Sequence, residues 1–169
     1  MPELIDLYDE NRNLIGKTHI RGNPLNAGEH YLVADIWTIT PDGKLLIDRR
    51  HPQKSYGGMW ECTGGVAKAG EDSLSGAVRE LGEELGLEVD KSELRLIHSC
   101  RRPNKFVDTY LLIKNINLEQ LRLQEEEVTE AKLVSFRELE KIIAAGQLSV
   151  SSGSIDGYKN VLKRFSKQG

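Results

Sequence analysis

Residues 64–87 read GGVAKAGEDSLSGAVRELGEELGL, and the periodicity inside this stretch decides how the rest of the chain is read. From Asp72 onward Leu74, Ala77, Val78, Leu81 and Leu85 recur at intervals of three and four, the mark of a helix with one apolar face. Asp72 or Ser73 is placed to cap its start, and Gly86 stands where a left-handed residue closes a helix. Gly76 and Gly82 each weaken it by roughly 1 kcal/mol relative to Ala, without changing the assignment. The other side carries Arg79, Glu80, Glu83 and Glu84, and residues three and four apart share a side, so the three glutamates project together. Like charges so crowded repel, and Arg79 alone does not neutralise three of them. A hard divalent cation, Mg²⁺ or Mn²⁺, is the expected complement, since carboxylate oxygens suit it and no thiolate or imidazole set is at hand to recruit zinc. Gly64 and Gly65 let backbone approach an ion or a phosphate closely, so loop and helix together predict a metal-phosphate site.

Working outward, Leu4–Tyr8 and Leu14–Arg21 flank the polar cluster Asp9–Asn13 and predict an N-terminal hairpin over about residues 3–21. His30–Thr40 and Lys44–Arg49, joined by Pro41, Asp42 and Gly43, predict a second, with Leu45–Ile47 buried on both faces. Ser55–Gly70 holds too many glycines for one regular element and reads as a shaped loop around a short strand. Leu94–Ser99 and Phe106–Lys114 are expected strands around the basic turn Arg101–Asn104. Lys132–Ser135 is expected as a short last strand and Phe136–Ala145 as a helix. Beyond the serine-rich break Leu148–Ser154, a closing helix is expected over about residues 155–166, its apolar side made by Ile155, Tyr158, Val161, Leu162 and Phe165. Helices interspersed with hairpins imply an α/β or α+β fold with a mixed sheet.

The chain has 169 residues, 38% of them hydrophobic and 29% charged, which suits one globular domain over 1–169. Its net charge of −3 argues against a duplex nucleic acid as partner. No apolar run approaches the roughly 18 residues of a membrane span. The opening MPELIDLYDE lacks the basic and apolar regions of a secretory signal, and Cys62 and Cys100 form no CxxC pair, so a cytoplasmic setting is expected. Trp37 and Trp60 are expected in the core, and the four histidines lack ligand spacing. Arg49, Arg50 and Lys54 precede the glycine loop and are expected to hold substrate phosphates, a task that suits arginine's fork of donors.

Gly65, Glu71, Arg79, Glu80, Leu81, Glu83, Glu84, Gly86 and Leu87 fill every defined position of the pattern G-x5-E-x7-R-E-U-x-E-E-x-G-U, where U is aliphatic, and so the chain resembles the Nudix hydrolases. The resemblance implies an α/β/α sandwich with a central mixed sheet and hydrolysis of a diphosphate joined to another moiety. It implies that Glu80, Glu83 and Glu84 bind Mg²⁺ with the carbonyl near Gly64, that Glu71 supports them and that Arg79 orients them. The proton acceptor is Glu80 or a residue of the run Glu125–Glu127. From that late loop Glu127 and Glu130 are also candidates for an extra metal ligand. A homodimer through the hairpin or the closing helix is in keeping with the family.

The region before the box also looks like the isopentenyl-diphosphate isomerase branch of the superfamily. That isomerase's cysteine falls on or beside Gly64 and Gly65, however, and Cys62 is two to three residues off, so a hydrolase is the better reading. A non-catalytic sensing module would tolerate an eroded box, and this box is complete. Pro103, sixteen residues beyond Leu87, matches a proline common in the ADP-ribose type and equally suits a turn. Nucleoside di- or triphosphates, nucleotide sugars and isoprenoid diphosphates all stay open as substrates.

Overall fold

The computed structural model describes residues 1–149 and 154–165; residues 150–153 of the expected serine-rich break and residue 166 of the expected closing helix lie outside them. The N-terminal hairpin forms as expected, from β1 (Leu4–Tyr8) and β2 (Leu14–Ile20). Then come β3 (Tyr31–Ile39), β4 (Leu45–Arg50), β5 (Trp60–Glu61) and β6 (Thr63–Val66). Helix α1 (Ser73–Leu85) leads to β7 (Leu94–Arg102), β8 (Lys105–Ile113) and β9 (Val128–Val134), and α2 (Phe136–Ala144) and α3 (Ser154–Phe165) complete the order.

The central sheet is mixed, as expected. β3 and β8 run parallel over their whole length, and β7 is antiparallel to β8. On its other edge β3 pairs with β6 through Val33–Ile36 and with β4 only at Thr38 and Ile39. The expected second hairpin therefore closes for two pairs and then splays. Beyond the splay β4 pairs with β5 and, along its whole length, with β9. β9 starts four residues before the strand expected from sequence, because Thr129 and Glu130 are exposed and lack the apolar alternation that marks a strand.

Helices cover both faces. On one, Ala77, Leu81 and Leu85 of α1 bury against Ala34, Ile36, Leu46 and Leu112. On the other, Leu139 of α2 with Tyr158 and Val161 of α3 covers Trp37, Ile39, Leu45, Ile47 and Trp60. Both expected core tryptophans are buried, and Leu45, Leu46 and Ile47 are enclosed from both sides. The hairpin caps one end of the sheet, Ile5 and Leu7 packing on Val33, Val66 and Val107. No described helix is long and apolar enough to cross a membrane.

Candidate active site

The site is built on α1. The Asp72 carboxylate accepts from the Ser75 N–H at 2.7 Å and fixes the first turn, and Gly86, at φ +67°, ends the helix by donating to the Gly82 and Leu81 carbonyls. With Leu81 and Leu85 pointed at the sheet, Arg79, Glu80, Glu83 and Glu84 lie along the flank next to β6. There Glu80 and Glu84 are buried and Glu83 is exposed. A Cβ on Gly65 would lie 2.1 Å from Glu80 Oε1, and one on Gly64 would lie 2.6 Å from the Ala34 carbonyl oxygen. Both positions are glycine because β6 is pressed between β3 and the acidic flank of α1.

Arg79 organises the acids. Its Nε and Nη2 donate to the two Glu71 oxygens at 2.8 and 3.0 Å, its Nη1 donates to Glu80 and Glu83 at 2.9 Å each, and Nη2 also reaches the Val66 carbonyl. Burial opposes the charge on Arg79, but these carboxylates hold its pKa above the usual range. Burial likewise raises Glu71, yet hydrogen bonds from Arg79 and the Lys68 N–H carry its pKa below normal. Glu83 goes the same way, bonded by Lys68 Nζ at 3.1 Å and by Arg79. Glu80 ends above its normal value because burial outweighs the attraction of Arg79. Glu84 is pushed well up by burial and then by the charges of Asp48, Glu80 and Glu61. Its Oε2 is buried with no hydrogen-bond partner among the described residues.

Asp48 and Glu61 join this group without having been singled out by sequence. The β4–β5 register sets them opposite each other, so strand alternation points both toward α1. Asp48 is fully buried and accepts from Thr63 Oγ1 at 2.9 Å. Burial, then the charge of Glu61, pushes its carboxyl up to about 8. Burial also raises Glu61, against the pull of Arg50, which donates to both its oxygens at 2.7 Å. The one sequence signal was a carboxylate directly after Leu45–Ile47, a run enclosed on both faces.

A cavity of about 700 Å³ opens on this flank, and of the expected residues Arg50, Lys54, Gly64, Gly65, Arg79, Glu80, Glu83, Glu84 and Glu127 line it. Glu127 is ion-paired with Lys54 across the wall. Glu71 stands behind Arg79 and does not line it. Arg49 does not reach it either: alternation turns its side chain to the opposite face, over the Trp60 ring at 5.6 Å, where Nε donates to the Gly58 carbonyl. Glu130 follows Arg49, at 3.6 Å from it, and Glu125 and Glu126 lie exposed outside the cavity. Arg21, Tyr31, Lys68 and Lys105 line the cavity without having been foreseen. Cys62, by contrast, is buried in the core on the α2 and α3 side, away from the cavity.

An all-oxygen donor set with a buried orphan at Glu84 Oε2 fits a hard divalent cation in chemistry. Among the described residues, however, no three His, Cys, Asp or Glu side chains converge on one point. Glu80 and Glu83 are held by Arg79, so gathering them around an ion means exchanging that contact for the ion.

A family model described as the NUDIX domain matches residues 29–151. An uncharacterized Nudix hydrolase of Listeria monocytogenes is 40% identical over 144 residues, 84% of this chain and 85% of that protein. A solved Deinococcus radiodurans structure superimposes with a TM-score of 0.77 at 23% identity, covering 93% of this chain and 98% of that one. The NUDIX domain of Shewanella oneidensis NrtR, solved with ADP ribose, superimposes with a TM-score of 0.64 at 14% identity, covering 86% and 94%.

Proposed function

Because the chain belongs to the NUDIX family of hydrolases, we propose that it cleaves, with Mg²⁺ or Mn²⁺, the diphosphate linkage of a nucleoside diphosphate derivative or a related organic diphosphate. The observation that carries this is the buried, unpartnered Glu84 Oε2 beside Glu80 and Glu83 at one end of a cavity that also holds Lys54 and Arg50. Glu80, Glu83 and Glu84 would hold the ions, with the Gly64 carbonyl and Glu127. When bound, such ions neutralise the diphosphate and acidify water for attack at phosphorus.

The chain's own residues do the rest. Arg79, anchored by Glu71, keeps the glutamates on one side of α1. Lys54 and the edge of Arg50 not taken by Glu61 face the phosphates, and Gly65 lets the chain of phosphates lie against backbone. Of the candidates for taking the water's proton, Glu80, raised by burial, and Glu127 line the cavity, and whichever of them is not engaged by an ion would accept it. The ADP ribose bound by the Shewanella domain is one diphosphate to include in a substrate panel.

The test is turnover of diphosphates with Mg²⁺ and with EDTA, isopentenyl diphosphate among them. Glu83→Gln and Glu84→Gln are each expected to lower Mg²⁺-dependent kcat by at least about 100-fold, the scale of losing a preorganised charge at the reacting centre. Full turnover in both variants would sink the assignment. Allylic hydrogen exchange without phosphate release would point to an isomerase.

A further inference from the structure

The basic turn between β7 and β8 contributes neither of its arginines to the box cavity and opens on a pocket of its own. This pocket, of about 400 Å³, lies between Glu10 in the β1–β2 turn, Gly28 and His30 ahead of β3, and Arg101, Arg102 and Pro103. None of these residues lines the box cavity. His30 bridges to Tyr8 just before β3, so alternation turns it to the face opposite Tyr31, which does line that cavity. His30 is only 3% exposed and still lines the new pocket. Its Nδ1 lies 3.1 Å from the Gly28 carbonyl oxygen, and its ring rests against Phe106 with centroids 5.1 Å apart. Its Nε2 makes no hydrogen bond among the described residues. The two guanidiniums are only partly committed: Arg101 Nη1 reaches the Glu10 carbonyl oxygen at a long 3.3 Å, and Arg102 Nη2 pairs with Asp156. Glu10 is the one acid that lines the pocket, and both oxygens of neighbouring Asp9 are taken by Asn11 and Asn13. In a chain of net charge −3, the pocket thus sets two permanent cations and a nearly buried imidazole against one carboxylate.

We infer that this pocket is a second, non-catalytic anion site, which takes a phosphate group between Arg101, Arg102 and His30, either as orthophosphate or as the monoester of a small molecule. Planar guanidinium forks match phosphate oxygens two at a time, and a dianion answers two cations where a carboxylate answers one. The imidazole suits a phosphate in either protonation state, since Nε2 accepts from a P–OH when neutral and donates to a P–O⁻ when charged. A divalent cation would meet charge of its own sign, and an apolar ligand would find only Pro103 among the lining residues. The volume falls within the usual range for small-molecule sites. Hydrolysis of an organic diphosphate releases phosphate monoesters, so the product of the proposed reaction belongs to the class that fits. The site itself follows from the pocket alone and stands whether or not the chain is a hydrolase.

The test is binding to the full chain, dialysed free of divalent ions and held at constant ionic strength. Orthophosphate, AMP and acetate are titrated and followed by amide NMR. The expected result is saturable shifts at Gly28, His30, Arg101 and Arg102, with orthophosphate or AMP at least about tenfold tighter than acetate, the scale of one added charge-assisted contact. Tighter binding of AMP supports the site with a monoester as its ligand, and equal or tighter binding of orthophosphate supports it with the free ion. Arg101→Gln, at an exposed position, is expected to weaken binding at least about tenfold. Glu10→Gln, which removes the opposing carboxylate, is expected to tighten it, a gain that damage to the fold does not produce. Lys54→Gln, in the box cavity, should leave these shifts in place. Shifts confined to the box cavity, affinity no better than that of acetate, unchanged affinity in both Arg101→Gln and Glu10→Gln, or loss of the shifts in Lys54→Gln overturns the inference.

Discussion

Gly65 has no room for a side chain because the Glu80 carboxylate already occupies the space, 2.1 Å from where a Cβ would sit. That carboxylate is the far end of a flexible side chain, whereas the atom a Cβ on Gly64 would strike is the Ala34 carbonyl oxygen. Gly65→Ala is therefore expected to keep the fold, within about 1 kcal/mol by urea unfolding, and to cut Mg²⁺-dependent turnover by displacing Glu80. Gly64→Ala is expected to lose stability as well. Asp48 gives a prediction in pH. Its carboxyl is carried from an ordinary 3.8 up to about 8 by burial, so the folded chain holds a proton that the unfolded chain releases. That contribution is complete below about 3.8 and is lost as pH rises through about 8. In EDTA, the melting temperature of Asp48→Asn relative to the parent protein should climb between pH 5 and pH 9; a constant difference would refute the assignment. The box residues were legible in sequence because their grouping depends only on spacing along one helix. Asp48 and Glu61 are thirteen positions apart and meet through a strand register that no local pattern encodes.

At the scale of the element, α1 carries two interior glycines with different surroundings. A Cβ on Gly76 would meet Ala67 at 3.4–3.5 Å, so that glycine sits at the packed contact with the segment after β6. Gly82 is exposed, with nothing nearer than 3.9 Å. Gly82→Ala should therefore raise stability by about 0.5–1 kcal/mol, read from the urea midpoint at unchanged slope. Helix limits were legible because caps are local: Asp72 and Gly86 bound α1, and Ser135 with Glu138 forms the capping box of α2. The fate of Arg49 was not legible, because Arg49 and Arg50 look alike in sequence and strand alternation sends only one of them to the cavity. The splay of β3 from β4 was hidden for a related reason, since β6 takes the vacated edge from outside the hairpin.

At the scale of the molecule, the hairpin is tied to α1 through one buried carboxylate. Arg12 grips Asp108 with both Nη atoms, and Asp108 also accepts from Ser99 Oγ and from Ser73 Oγ, in the first turn of α1. Burial raises the Asp108 pKa, but hydrogen bonds from Arg12, Ser73 and Ser99 outweigh it and leave it below normal. Stability from this clamp is present above about 3.8 and is lost as pH falls through the lower folded value. Arg12→Ala should cost about 1–2 kcal/mol near neutral pH, a charge-assisted bond discounted for the partial exposure of Arg12. The gap to the parent protein, followed by urea unfolding, should close in acid. A gap that is level from pH 7 to pH 2 would argue against the clamp.

Arg12 and Asp108 stand 96 positions apart, and the parallel pairing of β3 with β8 closes a comparably long loop. Contacts of such separation form late, since the chain entropy of closure is spent before any packing offsets it. β6 and α1 are sequence neighbours and can meet early. During refolding, then, the acidic flank of α1 is expected to take shape before the hairpin docks to steady it, so that amide protection in α1 precedes protection in β1 and β2 in a pulse-labelled exchange experiment.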